Sequence, residues 1–175
     1  NYCRNDETPC VVICHSTGCP IIGRALSIYG GIYNWKITRV LTLGSAEGGS
    51  ELGGYKNDNA RFIAPGIVRG SYNHHETHGV PFFHTAGYDG GAQSALIDGQ
   101  DDGVVGFHSA CGYVQQFNAN YCSNDYKWTS PFTTRTVKRW TNHGRVDYCG
   151  RDGCDQDHKG LMKINYQRRV LELNP

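Results

Sequence analysis

Alternation of apolar and polar side chains is the clearest signal along this chain. Over residues 34–43, Trp35, Ile37, Leu41 and Leu43 alternate with Lys36, Thr38 and Thr42, broken only at Arg39 and Val40. A period of two predicts a strand with one face in a core and the other in water. Further short strands are predicted over 10–14, 24–29, 60–64, 80–84, 103–108, 112–118, 132–140, 161–166 and 169–173. Gly30-Gly31, Asp89-Gly90-Gly91 and the stretches 47–54 and 98–103 punctuate them. Amphipathic helix of three turns is not evident, and short helices fit only 91–97 and 136–142. The expected fold is therefore all-β, a single disulfide-stabilised sandwich, prism or barrel of short antiparallel strands with long Gly-rich loops.

Composition sharpens this picture in two respects. With 175 residues the chain is long enough for one domain with a substantial core, so its cysteines are not needed to replace one. Eight occur nevertheless, at Cys3, Cys10, Cys14, Cys19, Cys111, Cys122, Cys149 and Cys154, an even set that points to an oxidising, extracellular setting and to four bridges. Spacing allows Cys111 with Cys122 and Cys149 with Cys154 to close local loops, while pairing of the others stays open. The chain opens on Asn1 rather than Met, which fits a processed, secreted product. A Cys-rich segment, 1–23, opens the domain, and a mildly basic part, 127–175, closes it.

Charge and hydropathy then exclude partners. The net charge of +1 leaves no footprint for nucleic acid. No run of about 18 apolar residues is present to span a membrane.

Five constellations could carry chemistry. Asp98, Gln100 and Asp102, with Gly103 following, reproduce the opening of a calcium loop, in which alternate side chains converge on the ion. Ser109 stands where such a loop would close on an acid. His74, Glu76 and His78 would share one face of an extended strand, with His84 close behind, and offer a zinc-type donor set. Ser71, Ser94 and Ser109 lie near histidines, yet none sits in Gly-x-Ser-x-Gly. Asp89, Asp98, Asp101 and Asp102 could supply a carboxylate pair for glycoside cleavage. Finally, Tyr113, Gln115, Gln116, Asn118 and Trp128 follow the acidic loop, a mixture suited to sugars because rings cover C–H faces while amides bond hydroxyls.

The stretch Val104-Val105-Gly106-Phe107-His108-Ser109-Ala110-Cys111-Gly112-Tyr113-Val114 resembles the strand-loop-strand of jacalin-related β-prism lectins. That resemblance implies a prism-like sheet. It carries no sugar site across, because Gln115 and Gln116 stand where that family places an Asp.

The expectation that follows is a secreted, lectin-like recognition protein rather than an enzyme. Asp98, Asp101 and Asp102 would accept sugar hydroxyls or hold calcium, Tyr113 or Trp128 would stack on a ring, and Gln115, Gln116 and Asn118 would complete the contacts with a glycan or other extracellular ligand. Two alternatives stand beside it. One is a secreted metal-dependent hydrolase using His74, Glu76, His78 and His84. The other is a structural protein that self-associates through exposed sheet edges.

Overall fold

The computed structural model describes residue 3 and residues 8–55, 58–123, 126–145 and 153–163. At its centre lies a four-stranded sheet in the order β1 (Cys10–His15), β2 (Ile37–Leu43), β3 (Phe82–Thr85), β6 (His143–Arg145), and each neighbouring pair is parallel. The all-β antiparallel expectation is thus overturned in favour of a mixed α/β fold. Parallel neighbours require a crossover between them. The stretches separating β1, β2 and β3 provide these, with α1 (Gly18–Tyr33) in the first, and α2 (Leu52–Tyr55) and α3 (Pro65–Gly70) in the second.

Both faces of β2 are covered, one by α1 and the other by the segment that follows β6. Val40 joins Cys14, Cys19, Leu26, Val80 and Phe82 in a cluster on the α1 side, while Leu41 and Leu43 pack with Cys154 and Leu161 on the other. Alternation therefore sorts β2 between two cores and not between core and water, as is usual for a parallel sheet. Thr42, assigned to a wet face by its polarity, is fully buried.

The largest departure from expectation is α1, whose 24–29 segment reads as a strand in isolation. Its buried residues are Cys19, Gly23, Leu26 and Gly30, a spacing of four, three and four that belongs to a helix face. Two of the four are glycines, so the hydrophobic signal is thin. These glycines admit close neighbours: a Cβ on Gly23 would fall 2.9 Å from Glu47 Oε1, and one on Gly30 2.6 Å from the His78 ring. Asn34 in the left-handed region (φ 46°) ends the helix by donating its N–H to Gly30 O.

Between β3 and β6, residues 86–142 build a third core around Phe107, Tyr113, Tyr126 and Val137. It contains α4 (Phe107–Ala110), the Cys111–Cys122 disulfide and an antiparallel hairpin of β4 (Lys127–Thr129) and β5 (Thr134–Thr136). The predicted strands at 103–108 and 112–118 are reduced to single bridges, Asp101 to Gly106 and Tyr113 to Arg139. The 104–114 segment is loop and α4, so the prism resemblance does not hold. Short 3-10 helices occupy Asp58–Ile63, Gly91–Leu96 and Gly160–Met162 where strands or a helix were expected. The 169–173 strand and most of 161–166 lie outside the described residues.

Cys3–Cys10 and Cys14–Cys19 are also bridged, Cys154 is disulfide-bonded, and no described cysteine is free. Cys149 lies outside the described residues. No helix among the described residues is long and apolar enough to cross a membrane.

Candidate active site

The sharpest local feature of the sheet is the turn from β1 into α1. Val11, Val12 and Ile13 carry the chain into the sheet, and Ser16 then turns it in a left-handed conformation, φ 54°. For a residue other than glycine this costs roughly 1–2 kcal/mol, and such strain persists only where surroundings over-determine it. Here they do. Ser16 N–H donates to Leu43 O at 3.2 Å, and Ser16 O accepts from Cys19 N at 3.2 Å and Ala46 N at 3.1 Å. The Cys14–Cys19 disulfide bridges the turn from two residues before the serine to three after it.

A strand-to-helix turn with a strained serine is a nucleophile elbow. The residues are Cys14-His15-Ser16-Thr17-Gly18, so the pattern Gly-x-Ser-x-Gly is met except at its first position. A search for serines flanked by both glycines passes over Ser16. A serine flanked by a β-branched run and a helix start was the signal that could have found it.

Two partners converge on this turn from far along the chain. Asp102, 2% exposed, places Oδ2 2.8 Å from His158 Nδ1. Its other oxygen accepts the Val104 and Val105 amides at 3.1 and 2.8 Å, and its carbonyl takes the His158 N–H at 2.9 Å. The carboxylate is therefore held from both ends, and Nδ1 of His158 must carry the proton. His158 Nε2 is left as the basic atom.

Ser16 and His158 are joined through their neighbours. His15 donates Nε2–H to His158 O at 2.8 Å, and the two rings lie 4.3 Å apart. Gly44 follows the carbonyl that binds Ser16. A Cβ there would lie 2.7 Å from Asp102 Oδ2 and 3.1 Å from His158 Nδ1, and its φ is 52°, so only glycine permits this approach. Burial, and then the neighbouring His158, lower the pKa of His15. That favours the neutral form of His15.

The N-terminus of α1 begins immediately after the serine. Thr17 is its N-cap without a side-chain cap bond, and among the described residues no acceptor takes the Thr17 N–H. This amide, backed by the positive end of a sixteen-residue helix, suits a developing oxyanion. Thr17 also lines a groove of about 330 Å³ with Pro20, Ile21, Phe62, Ile63 and Ile67. Ile21 and Phe62 are more than 60% exposed, which leaves an open apolar trough beside the Ser16 turn.

The residues singled out from sequence are distributed otherwise. The proposed calcium ligands do not converge: Asp98 is exposed and accepts from Gln116 Nε2, Gln100 donates to Tyr88 O, and Asp102 holds His158. Asp101 accepts from Ser94 Oγ and from Gly103 N, shaping the tight turn that delivers Asp102. Burial raises its pKa. Tyr113 is fully buried, its hydroxyl bonded at Tyr121 and Ser123. Gln115, Gln116 and Asn118 are exposed on a loop, and Trp128 lies on β4.

The segment bearing His74, Glu76 and His78 is loop, so strand periodicity does not gather them. His74 is buried between Tyr72 and Trp140, while Glu76 and His78 form an exposed pair at 3.6 Å. His84 is in β3, facing Thr42 and His143. Ser109 is buried, donating to Ser45 O and accepting from Gly48 N. Ser71 bonds Val68 O.

No family model matches the sequence, and no curated protein does. Among solved structures the fold is similar to the lipase BlEst2 of Bacillus licheniformis in its mature form, with TM-score 0.58 and 20% identity over 94% of this chain and 64% of that one. It is similar also to the propeptide form of BlEst2 (TM-score 0.57, 18% identity, 94% and 35%) and to phospholipase PlaB of Legionella pneumophila in complex with thio-NAD (TM-score 0.55, 14% identity, 97% and 46%). The chain thus spans less than two thirds of the length of each. At these identities the likeness establishes the fold alone, a mixed α/β architecture around a parallel sheet. It overturns the lectin-like, all-β reading, and it lends no support to the metal-dependent hydrolase built on His74, Glu76 and His78.

Proposed function

We propose that this chain is a serine hydrolase acting on carboxylic esters with an apolar acyl group, with Ser16 as nucleophile, His158 as general base and acid, and Asp102 as the carboxylate that orients it. The observation that carries this reading is the strained Ser16 elbow beside the 2.8 Å Asp102–His158 pair. The order Ser, Asp, His along the chain is that of α/β hydrolases. Similarity to two lipases supports the ester class, and the groove next to Thr17 supports an acyl chain.

In this reading Ser16 Oγ attacks the ester carbonyl while its proton passes to His158 Nε2. The new oxyanion accepts the Thr17 N–H. Collapse expels the alcohol, which takes the proton from His158 and leaves an acyl-Ser16. Water, deprotonated by the same nitrogen, attacks the acyl carbon and releases the carboxylic acid and free serine. Asp102 stays ionised throughout and stabilises the imidazolium. The disulfides support an extracellular site of action.

The direct test is labelling with a fluorophosphonate probe followed by peptide mapping. Modification confined to Ser16, with loss of p-nitrophenyl ester hydrolysis in proportion, is the expected result. Hydrolysis that persists after complete labelling, or no labelling of folded protein, would overturn the assignment.

A further inference from the structure

A second constellation lies away from the hydrolytic residues. Glu47 in the loop after β2, His84 on β3 and His143 on β6 meet on the α1 side of the sheet, with side chains 1%, 0% and 2% exposed. Glu47 Oε2 lies 3.5 Å from His84 Nε2 and 3.6 Å from His143 Nδ1, and the two nitrogens are 2.8 Å apart. Tetrahedral zinc with bonds of about 2.0–2.1 Å sets its donors about 3.3–3.4 Å from one another. Two of the three separations are already there, and the third needs an opening of about half an ångström.

Three details fit an ion better than a plain polar contact. Both Glu47 oxygens are buried and neither makes a well-formed hydrogen bond, although the Ser45 and Tyr72 hydroxyls lie close enough to interact with the carboxyl group. A carboxylate in that condition is neutralised or coordinates a cation. His84 Nδ1 lies 2.9 Å from Thr42 Oγ1; donation there fixes the tautomer that leaves Nε2 as a ligand. Finally, Gly112, φ 71°, sits where a Cβ would come within 2.7 Å of His84 Nε2, so glycine keeps room beside the donor atom.

We propose that Glu47 Oε2, His84 Nε2 and His143 Nδ1, with a water as fourth ligand, form a buried zinc site that fastens the loop after β2 to strands β3 and β6. The site is independent of ester hydrolysis and stands whether or not Ser16 is the nucleophile. It differs from the sequence-based zinc grouping in all but His84.

The test uses untagged protein, measuring zinc by elemental analysis as purified and cobalt absorption after refolding with a chelator and adding Co²⁺. One zinc per chain, visible bands of four-coordinate cobalt, and a lower melting temperature for protein refolded in chelator are expected. Glu47→Gln, which keeps the packing and removes the anionic donor, should weaken cobalt binding about 100-fold or more. Folded wild type with no zinc, featureless cobalt spectra and an unchanged melting temperature would overturn the proposal, leaving an imidazole pair beside a protonated Glu47. Full cobalt bands in folded Glu47→Gln would overturn it as well, placing the ion elsewhere. If the variant does not fold, the wild-type zinc count and cobalt spectrum decide.

Discussion

Asp102 Oδ2 lies 2.8 Å from His158 Nδ1 although the two residues are 56 positions apart, and the other Asp102 oxygen is anchored by two successive backbone amides. The carboxylate therefore cannot swing away when its histidine takes up a proton.

Asp102→Asn tests that arrangement closely. Asparagine can keep an oxygen toward Val104 and Val105, but it then offers an N–H where His158 Nδ1 needs an acceptor, forcing the proton onto Nε2. Ester hydrolysis is expected to fall by on the order of 10³–10⁴ in kcat with the melting temperature nearly unchanged. Steady-state kinetics beside a thermal melt separate this from misfolding. A loss below tenfold would remove Asp102 from the mechanism.

Removal of the disulfide across the elbow should be felt first at Ser16. Closing so short a loop stabilises the fold by about 2 kcal/mol in the chain-entropy view, yet the strained turn depends on Cys14 and Cys19 locally. A Cys14→Ala, Cys19→Ala double variant is expected to lose at least about tenfold in kcat at temperatures well below its midpoint. Activity that tracks only the folded fraction would show the bridge to be a general brace.

Acyl-chain length offers a third handle. Phe62→Ala and Ile67→Ala strip apolar wall from the groove beside Thr17. They should lower kcat/KM for a decanoate ester about tenfold, ~1.4 kcal/mol, and leave an acetate ester within about twofold. Equal losses on both substrates would mean that the groove does not hold the acyl group.

Acid should destabilise the fold through buried histidines. His74 is held down to about 4, chiefly by burial and, less, by Arg69 and His75, while its bond to Val68 O pulls the other way. A folded pKa below the unfolded 6.5 means that the neutral form stabilises the fold fully above about pH 6.5 and that this is lost as pH falls toward 4. The loss from His74 is about 3 kcal/mol. His84 and His143 add in the same direction, so the informative quantity is the difference between proteins. Urea melts from pH 7.5 to 4.5 should show a shallower decline in His74→Gln than in wild type. Parallel curves would exclude His74 as a contributor.

How much of this was legible beforehand depended on the range of the interaction. The β2 alternation was visible because it is local, although the burial of Thr42 depended on long-range packing over its face. Asp102 stood out in the acidic loop only as a candidate calcium or sugar ligand; its partner is His158, and no local pattern reports a pair so distant. Cys14 hid the elbow by occupying the position of a glycine, and Gly23 and Gly30 hid α1 by withholding the apolar side chains that mark a helix. Glu47 was overlooked for the same reason as His158: its neighbours arrive from β3 and β6, which only the crossovers bring beside it.

Each of the three residues of the proposed triad is rooted in a different apolar cluster: Ser16 between Cys14 and Cys19, Asp102 beside Val105, and His158 beside Leu161. Their alignment is a property of how those clusters dock, not of any one of them. Turnover is thus the most demanding gauge of the native state. A slip in the seating of one cluster would silence the protein while circular dichroism still reported an intact molecule.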